Sequence, residues 1–328
     1  MQEVPIQSPL IKRKPSAIYR VLGDRIFLVL VLALALSIVL LTLGLGYYLY
    51  LGGSLAINKE GVFGFLTGTT WDPALKLEFG IWPYVVGTLV TSLAALVLSV
   101  PVALAAAVFT AEYAPRWLAG FINYLVDLMA AVPSVVYGIW GIFVLAPFLR
   151  EIFYMPVFLW AAENAPWLSR YLGNPSGYGM FTAIVILSSM VIPFTAALSR
   201  DAINLVPAAQ REGAYALGAT RWEVMQMVIL PYARGGIFAG AMLALGRALG
   251  ETMAVAMVIG NGNILPYTLF GPASTMPAVI ALELKEAVED LHYSAIIGVG
   301  FYLFLIAFIV NATASYLLNK LKVGEQRA

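Results

Sequence analysis

Residues 199–234 read SRDAINLVPAAQREGAYALGATRWEVMQMVILPYAR. They set charge, glycine and proline between two strongly apolar stretches of the chain. Pro207 suits the first turn of a helix, because its missing N–H is one that a helix start leaves unpaired anyway. Gly218 then ends that helix, where a left-handed residue is cheap for glycine. Thr220-Arg221-Trp222-Glu223 has capping-box spacing, which predicts a second short helix. Pro231 marks the end of that helix or a bend in it. The segment reads as helix, turn, helix at a membrane surface, a pattern that a simple interfacial anchor also satisfies.

Outward from this loop the chain is a membrane protein by composition. Hydrophobic residues make up 61% and charged residues 11%, against about 25% charged in soluble domains, and the mean hydropathy is +0.86. A membrane helix needs roughly 20 mostly apolar residues. Six stretches meet that length: 26–51, 84–109, 121–148, 180–198, 235–259 and 293–318. The fold class that follows is all-α, an integral membrane protein of six transmembrane helices. Pro101, Pro133 and Pro193 lie inside these stretches, where neighbouring helices can satisfy the freed backbone groups. The expected organisation is a basic tail over 1–25, a six-span domain over 26–318 with the loop 199–234, and a short tail over 319–328. The first apolar run is too long for a secretory signal core and reads as a retained helix.

Orientation follows from Lys and Arg. With the N-terminus inside, thirteen fall on the inner side, among them Lys12, Arg13, Arg116, Arg200, Arg211, Arg221, Arg234 and Lys320. Five fall outside: Lys59, Lys76, Arg150, Arg170 and Lys285. Both termini are therefore expected in the cytoplasm. The stretch 149–179 carries Phe153, Tyr154, Phe158, Trp160, Trp167 and Tyr171 and reads as an outer lid or short interfacial helix, since aromatics favour that zone.

The residue inventory narrows the chemistry. There is no cysteine and one histidine, His292. Thiolate sites, a Ser-His-Asp arrangement and a His-rich metal centre are thereby set aside, so no catalytic and no metal-binding residues are assigned. No Lys is followed by Ser or Thr, so no phosphate loop for ATP exists. The net charge of +1 gives no reason to expect nucleic acid as a partner.

Arg247 is the one basic residue inside a span. Four residues on stands Glu251, a spacing that on one helix lets the two pair. An ionisable group at the bilayer centre costs about 2.5–3.5 kcal/mol and usually faces protein or a watery pathway. On a continuous helix Gly236, Gly240, Arg247 and Glu251 share a side, and Gly236-x-x-x-Gly240 is a close-packing pattern. Two readings stay open: the pair clamps helices together, or Arg247 contacts a permeating oxyanion while Glu251 tunes its release.

The loop also resembles the coupling motif of ABC-importer permeases, which runs Glu-Ala-Ala, a glycine a few residues on, and Ile-x-Leu-Pro. Glu212, Ala214, Gly218, Leu230 and Pro231 match; Gly213 replaces an alanine and Val228 an isoleucine. The stretches YVVGTLVTSLAALVLSVPVALAAAVFTAEYAP (84–115), AAVPSVVYGIWGIFVLAP (130–147) and GRALGETMAVAMVIGN (246–261) resemble the permeases of phosphate importers within that family. The resemblance implies a type I ABC-importer permease fold with a coupling helix, in a prokaryotic inner membrane. It implies a transport subunit with no cofactor of its own, ATP and Mg being held by two copies of a PstB-type ATPase. A PstA-type permease would complete a heterodimer, and a PstS-type binding protein would deliver phosphate. Glu212, Gly213, Ala214, Gly218, Leu230 and Pro231 would meet the ATPase. A permease for sulfate or molybdate, or a secondary transporter running without ATP, are the rival readings.

Overall fold

The computed structural model describes residues 17–325; of the expected tails over 1–25 and 319–328, residues 1–16 and 326–328 lie outside the described residues, and the remainder continues the first and last helices. The chain divides into two units, 1–48 and 49–328. The helices in order are α1 (Ala17–Glu60), α2 (Val62–Thr67), α3 (Trp82–Val108), α4 (Arg116–Ala131), α5 (Ser134–Trp140), α6 (Ala146–Leu149), α7 (Met155–Asn164), α8 (Pro166–Leu172), α9 (Met180–Asn204), α10 (Ala208–Ala216), α11 (Arg221–Val224), α12 (Leu230–Leu249), α13 (Met253–Val258), α14 (Met276–Glu283) and α15 (Asp290–Glu325). A two-residue hairpin, β1 (Trp71–Asp72) with β2 (Glu78–Phe79), pairs antiparallel between α2 and α3.

Six helices among the described residues are long and apolar enough to cross a bilayer: Asp24–Glu60, Trp82–Tyr113, Ser134–Asn164, Met180–Asn204, Arg221–Leu249 and Asp290–Leu318. In the first unit, residues 24–48 are helical and exposed throughout except at Gly46, as suits a leucine-rich helix whose solvent is lipid.

The first span, expected at 26–51, runs on as helix to Glu60, and two further spans are displaced from the sequence expectation. The third was expected at 121–148 but lies at Ser134–Asn164. Pro133 breaks the run, since the residue before a proline is pushed out of the helical region; Val132 is accordingly extended, at φ −67° and ψ 128°. Upstream of it α4 is a separate amphipathic helix with no buried residue. The expected outer lid over 149–179 is therefore partly the end of this span. The fifth span, expected at 235–259, begins at Arg221 and stops at Leu249. Pro231 does not end a short helix: helical backbone runs through it into α12.

Proline explains how. Pro115, Pro147, Pro156 and Pro231 each follow a π-helical turn by two residues: Phe109–Tyr113, Gly141–Leu145, Arg150–Tyr154 and Met225–Ile229. The residue before each proline donates to the carbonyl five back, Ala114 to Phe109, Ala146 to Gly141, Met155 to Arg150 and Leu230 to Met225. A proline ring collides with the carbonyl four residues earlier and offers no N–H. At Pro147, Pro156 and Pro231 a turn widened by one residue absorbs that mismatch as a bulge, whereas before Pro115 the helix ends, Ala114 being extended at ψ 140°. Pro101 and Pro193 sit inside α3 and α9, which run on as α-helix.

The core of the second unit lies where α3, α9, α12 and α13 meet, around Ala95, Ile186, Leu187, Val191, Ala244 and Val255. Polar side chains cross-link it. Ser188 Oγ donates to the Ala95 carbonyl at 3.2 Å, and Thr88 Oγ1 accepts from Met276 N at 2.9 Å. Gly87 is required by close approach, since a Cβ there would lie 2.0 Å from the Ser274 carbonyl oxygen.

The hairpin end is finished by aromatic packing. Trp71 meets Phe79 and Tyr84 edge-on, and Phe79 stacks on His292. Glu283 accepts from the Trp71 indole at 2.8 Å and pairs with His292 Nε2 at 3.0 Å. The opposite end, where α9 hands over to α10, is finished by the turn at Gly218.

Candidate docking turn and pathway arginine

The turn is built from local chemistry alone. Gly218 has φ +88°, the left-handed region that L side chains avoid. Its N–H reaches the Tyr215 carbonyl at 3.0 Å, and Ala219 N reaches the Ala214 carbonyl at 3.2 Å. These are the two bonds of a Schellman cap. The next helix opens on the capping box: Thr220 N donates to Glu223 Oε2 at 2.7 Å, and Glu223 N donates to Thr220 Oγ1 at 3.4 Å.

Glu212, Gly213 and Gly218 are exposed on this element, and Ala214 is half-buried. A Cβ on Gly213 or Gly218 would meet nothing within 4 Å. Beside them opens a groove of about 670 Å³, lined by Ala214, Leu217, Met227, Val228, Pro231 and Tyr232 among others. Leu230 is placed differently: it packs inward, against the cluster of Ala202, Ile203, Val206, Val224 and Met225.

One contact here was not legible in the sequence. The Arg211 guanidinium pairs through Nη1 with Glu112, ninety-nine positions away, and through Nη2 with the Ile203 carbonyl at 2.6 Å. Glu112 and Arg211 are far apart in the sequence, and no spacing rule connects them.

Arg247 stands in the last turn of α12, where a cation suits the negative end of the helix dipole. It is exposed, with its guanidinium 4.3 Å from the Phe194 ring centroid. The expected pairing with Glu251 along one helical face is not formed. α12 ends at Leu249, Gly250 caps it, and α13 restarts at Met253. Glu251 therefore lies on a three-residue break, and no ion pair joins it to Arg247. Thr252 Oγ1 donates to the Gly250 carbonyl at 3.1 Å within the break. Non-helical backbone at membrane depth is tolerated where it is covered by protein or lines a watery cavity.

Gly236 and Gly240 lie on the α9 side of α12. A Cβ on Gly236 would sit 2.5 Å from Ala202 Cβ, and one on Gly240 3.0 Å from Leu198 Cβ.

Residues 99–323 match the family described as binding-protein-dependent transport system inner membrane component. The chain belongs to this family. As a member it is a multi-pass inner-membrane transport subunit, without an ATPase domain or a cofactor of its own. Within the family it belongs with the PstC permeases. It is 42% identical to the phosphate transport system permease protein PstC of Mesorhizobium japonicum over 274 residues, 83% of each chain. It is 42% identical to PstC of Pasteurella multocida over 81% of this chain and 82% of that one. With PstC 2 of Mycobacterium tuberculosis it shares 43% over 76% of this chain and 78% of that one. The fold is that of an ABC-importer permease. A chain of a bacterial alginate ABC transporter superposes with a TM-score of 0.60 at 17% identity, covering 92% of this chain and 98% of that one. A chain of the MetNI methionine ABC transporter does so with 0.52 at 19%, covering 77% and 99%.

Proposed function

We propose that this chain forms half of the translocation pathway of an ATP-driven phosphate importer. The observation that carries the reading is identity above 40%, over four fifths of both chains, to permeases named for phosphate transport. The partners in this reading are a PstA-type permease, two copies of a PstB-type ATPase and a PstS-type binding protein. The turn end and both termini face the cytoplasm.

Glu212, Gly213, Ala214 and Gly218 dock on the ATPase, with Pro231 on the wall of the same groove. Open space above Gly213 and Gly218 lets a partner backbone approach closely, and Glu212 accepts hydrogen bonds at the rim. Leu230 roots the element in the bundle. Closure of the ATPase dimer pushes the turn, rotates the attached spans and alternates access to the pathway.

Arg247 meets the phosphate as it passes. Its planar fork of donors matches phosphate oxygens, and the Phe194 face supports it from behind. Glu251, set apart on the break, keeps binding weak through like charge. The rival reading, an Arg247–Glu251 clamp between helices, is disfavoured by the missing ion pair.

The test is uptake by proteoliposomes holding the four components, with labelled phosphate outside and ATP inside. The reading requires ATP-dependent phosphate uptake that sulfate and molybdate do not suppress, and at least about a tenfold loss in Arg247→Lys, the loss of a bidentate charge-assisted contact. Uptake without ATP, or of another oxyanion, refutes it.

A further inference from the structure

On α10 two charges stand side by side and face opposite ways. Glu212 is exposed, whereas Arg211 turns into the bundle with 22% of its side chain accessible. There the guanidinium joins three elements. It belongs to α10, pairs with Glu112 in the π-helical turn that ends the second span, and donates to Ile203 in the last turn of α9. Among the described residues it is the one side chain of α10 that hydrogen-bonds at all. The apolar attachment of α10 is slight: no residue of the helix is fully buried, and Ala214 alone packs on the neighbouring cluster.

We propose that Arg211 is the positioning residue that carries movement of the docked turn into the second and fourth spans. This rests on the docking reading given above. Three physical points support it. Glu112 is only 15% accessible, so the pair is shielded from water, and removing one partner strands the other charge. The Ile203 carbonyl lies in the last turn of α9 and accepts from Val206 N at 3.2 Å as well as from Arg211, and a cation there meets the negative end of the α9 dipole. The π-helical turn holding Glu112 is a local irregularity of the kind frequent at functional sites. A displacement of α10 thus pulls on two span ends through one rigid, planar group, whereas Ala214 alone can slide.

The experiment uses the complete complex in proteoliposomes and reads three quantities together: co-purification of the ATPase, ATP hydrolysed, and phosphate taken up. For Arg211→Gln the expected result is an ATPase bound as in the parent and hydrolysis within about twofold, with phosphate moved per ATP reduced about tenfold, within the range for residues that couple distant sites. Arg211→Lys, which keeps the charge without the fork, falls between. Glu112→Gln, which leaves the size unchanged, reproduces the Arg211→Gln defect. The reversed pair Arg211→Glu with Glu112→Arg transports more per ATP than Arg211→Glu alone. Loss of the ATPase from Arg211→Gln would make Arg211 part of the dock and overturn the proposal. So would an unchanged ratio of phosphate to ATP, or a reversed pair no better than the single change. The docking reading has its own control, Glu212→Ala with Gly218→Ala. If that variant keeps its ATPase and transports normally, docking by those residues fails, whatever Arg211 does.

Discussion

The hairpin end and the turn end of the bundle both rely on glycine, and they use it in opposite ways. At the hairpin end the chain itself occupies the space: a Cβ on Gly80 would lie 2.2 Å from the carbonyl carbon of Gly68. At the turn end a Cβ on Gly213 or Gly218 would meet nothing. One end is closed on itself by Trp71, Phe79, Tyr84 and His292. The other satisfies its backbone locally and leaves its small residues uncovered. Smallness at the first end is explained by packing within the chain, and smallness at the second is left for a partner to explain.

Substitutions separate the two cases, and the largest effect belongs to the closed end. Gly80→Ala forces backbone against backbone, and overpacking of that kind costs about 3 kcal/mol. Thermal unfolding in detergent should show the loss. An unchanged midpoint would mean that the hairpin gives way freely, and the contrast between the ends would vanish. Gly218→Val comes next. It has room but the wrong backbone, and a left-handed L residue costs about 1–2 kcal/mol. Gly218→Asn, which tolerates that region better, should recover part of it by the same measurement. Thr220→Ala removes the capping box and should cost about 1 kcal/mol.

Gly213 gives the sharpest contrast, because the sign reverses. It lies inside α10 with open space around it. Gly213→Ala should therefore stabilise the helix by up to about 1 kcal/mol, whereas any Cβ at Gly80 destabilises. Gly213→Trp should leave the melting midpoint near that of the parent and yet expel the ATPase in co-purification. Retention of the ATPase by the tryptophan variant would remove the reason for treating this surface as a dock.

The apolar runs made most of the spans legible, because lipid demands a length and composition that few other environments require. What they could not rank was proline. Pro133 breaks the chain between α4 and α5, Pro101 and Pro193 do not break theirs, and four others sit behind widened turns. Which outcome holds depends on neighbouring helices, so the third span was displaced in the sequence reading. Arg247 was found because a charge in an apolar run is conspicuous. Its separation from Glu251 was hidden, since Gly250 can lie inside a helix or end one. The turn was legible because its caps are written in adjacent residues. Arg211 and Glu112 were not, because a tertiary ion pair leaves no periodic trace.

The smallest effect concerns the tip of the hairpin, which lies outside the spans. Asp72 Oδ1 accepts from Leu75 N at 2.9 Å and from Ala74 N at 3.1 Å. The Leu75 N–H chiefly, helped by those of Ala74 and Lys76 and by the Lys76 charge, holds this carboxyl below its ordinary value. A carboxylate with a folded pKa below its unfolded one stabilises above the unfolded value, and the contribution fades as pH falls through the folded one. Acid should therefore loosen the tip locally while the aromatic cluster beneath it holds. Amide exchange at Ala74 and Leu75, corrected for the intrinsic rate at each pH, should rise below the ordinary carboxylate range. In Asp72→Asn, which keeps an acceptor but cannot titrate, the profile should be flat. A parent profile equally flat would mean that these bonds do not hold the tip, and that the closed end is held by its aromatic packing alone.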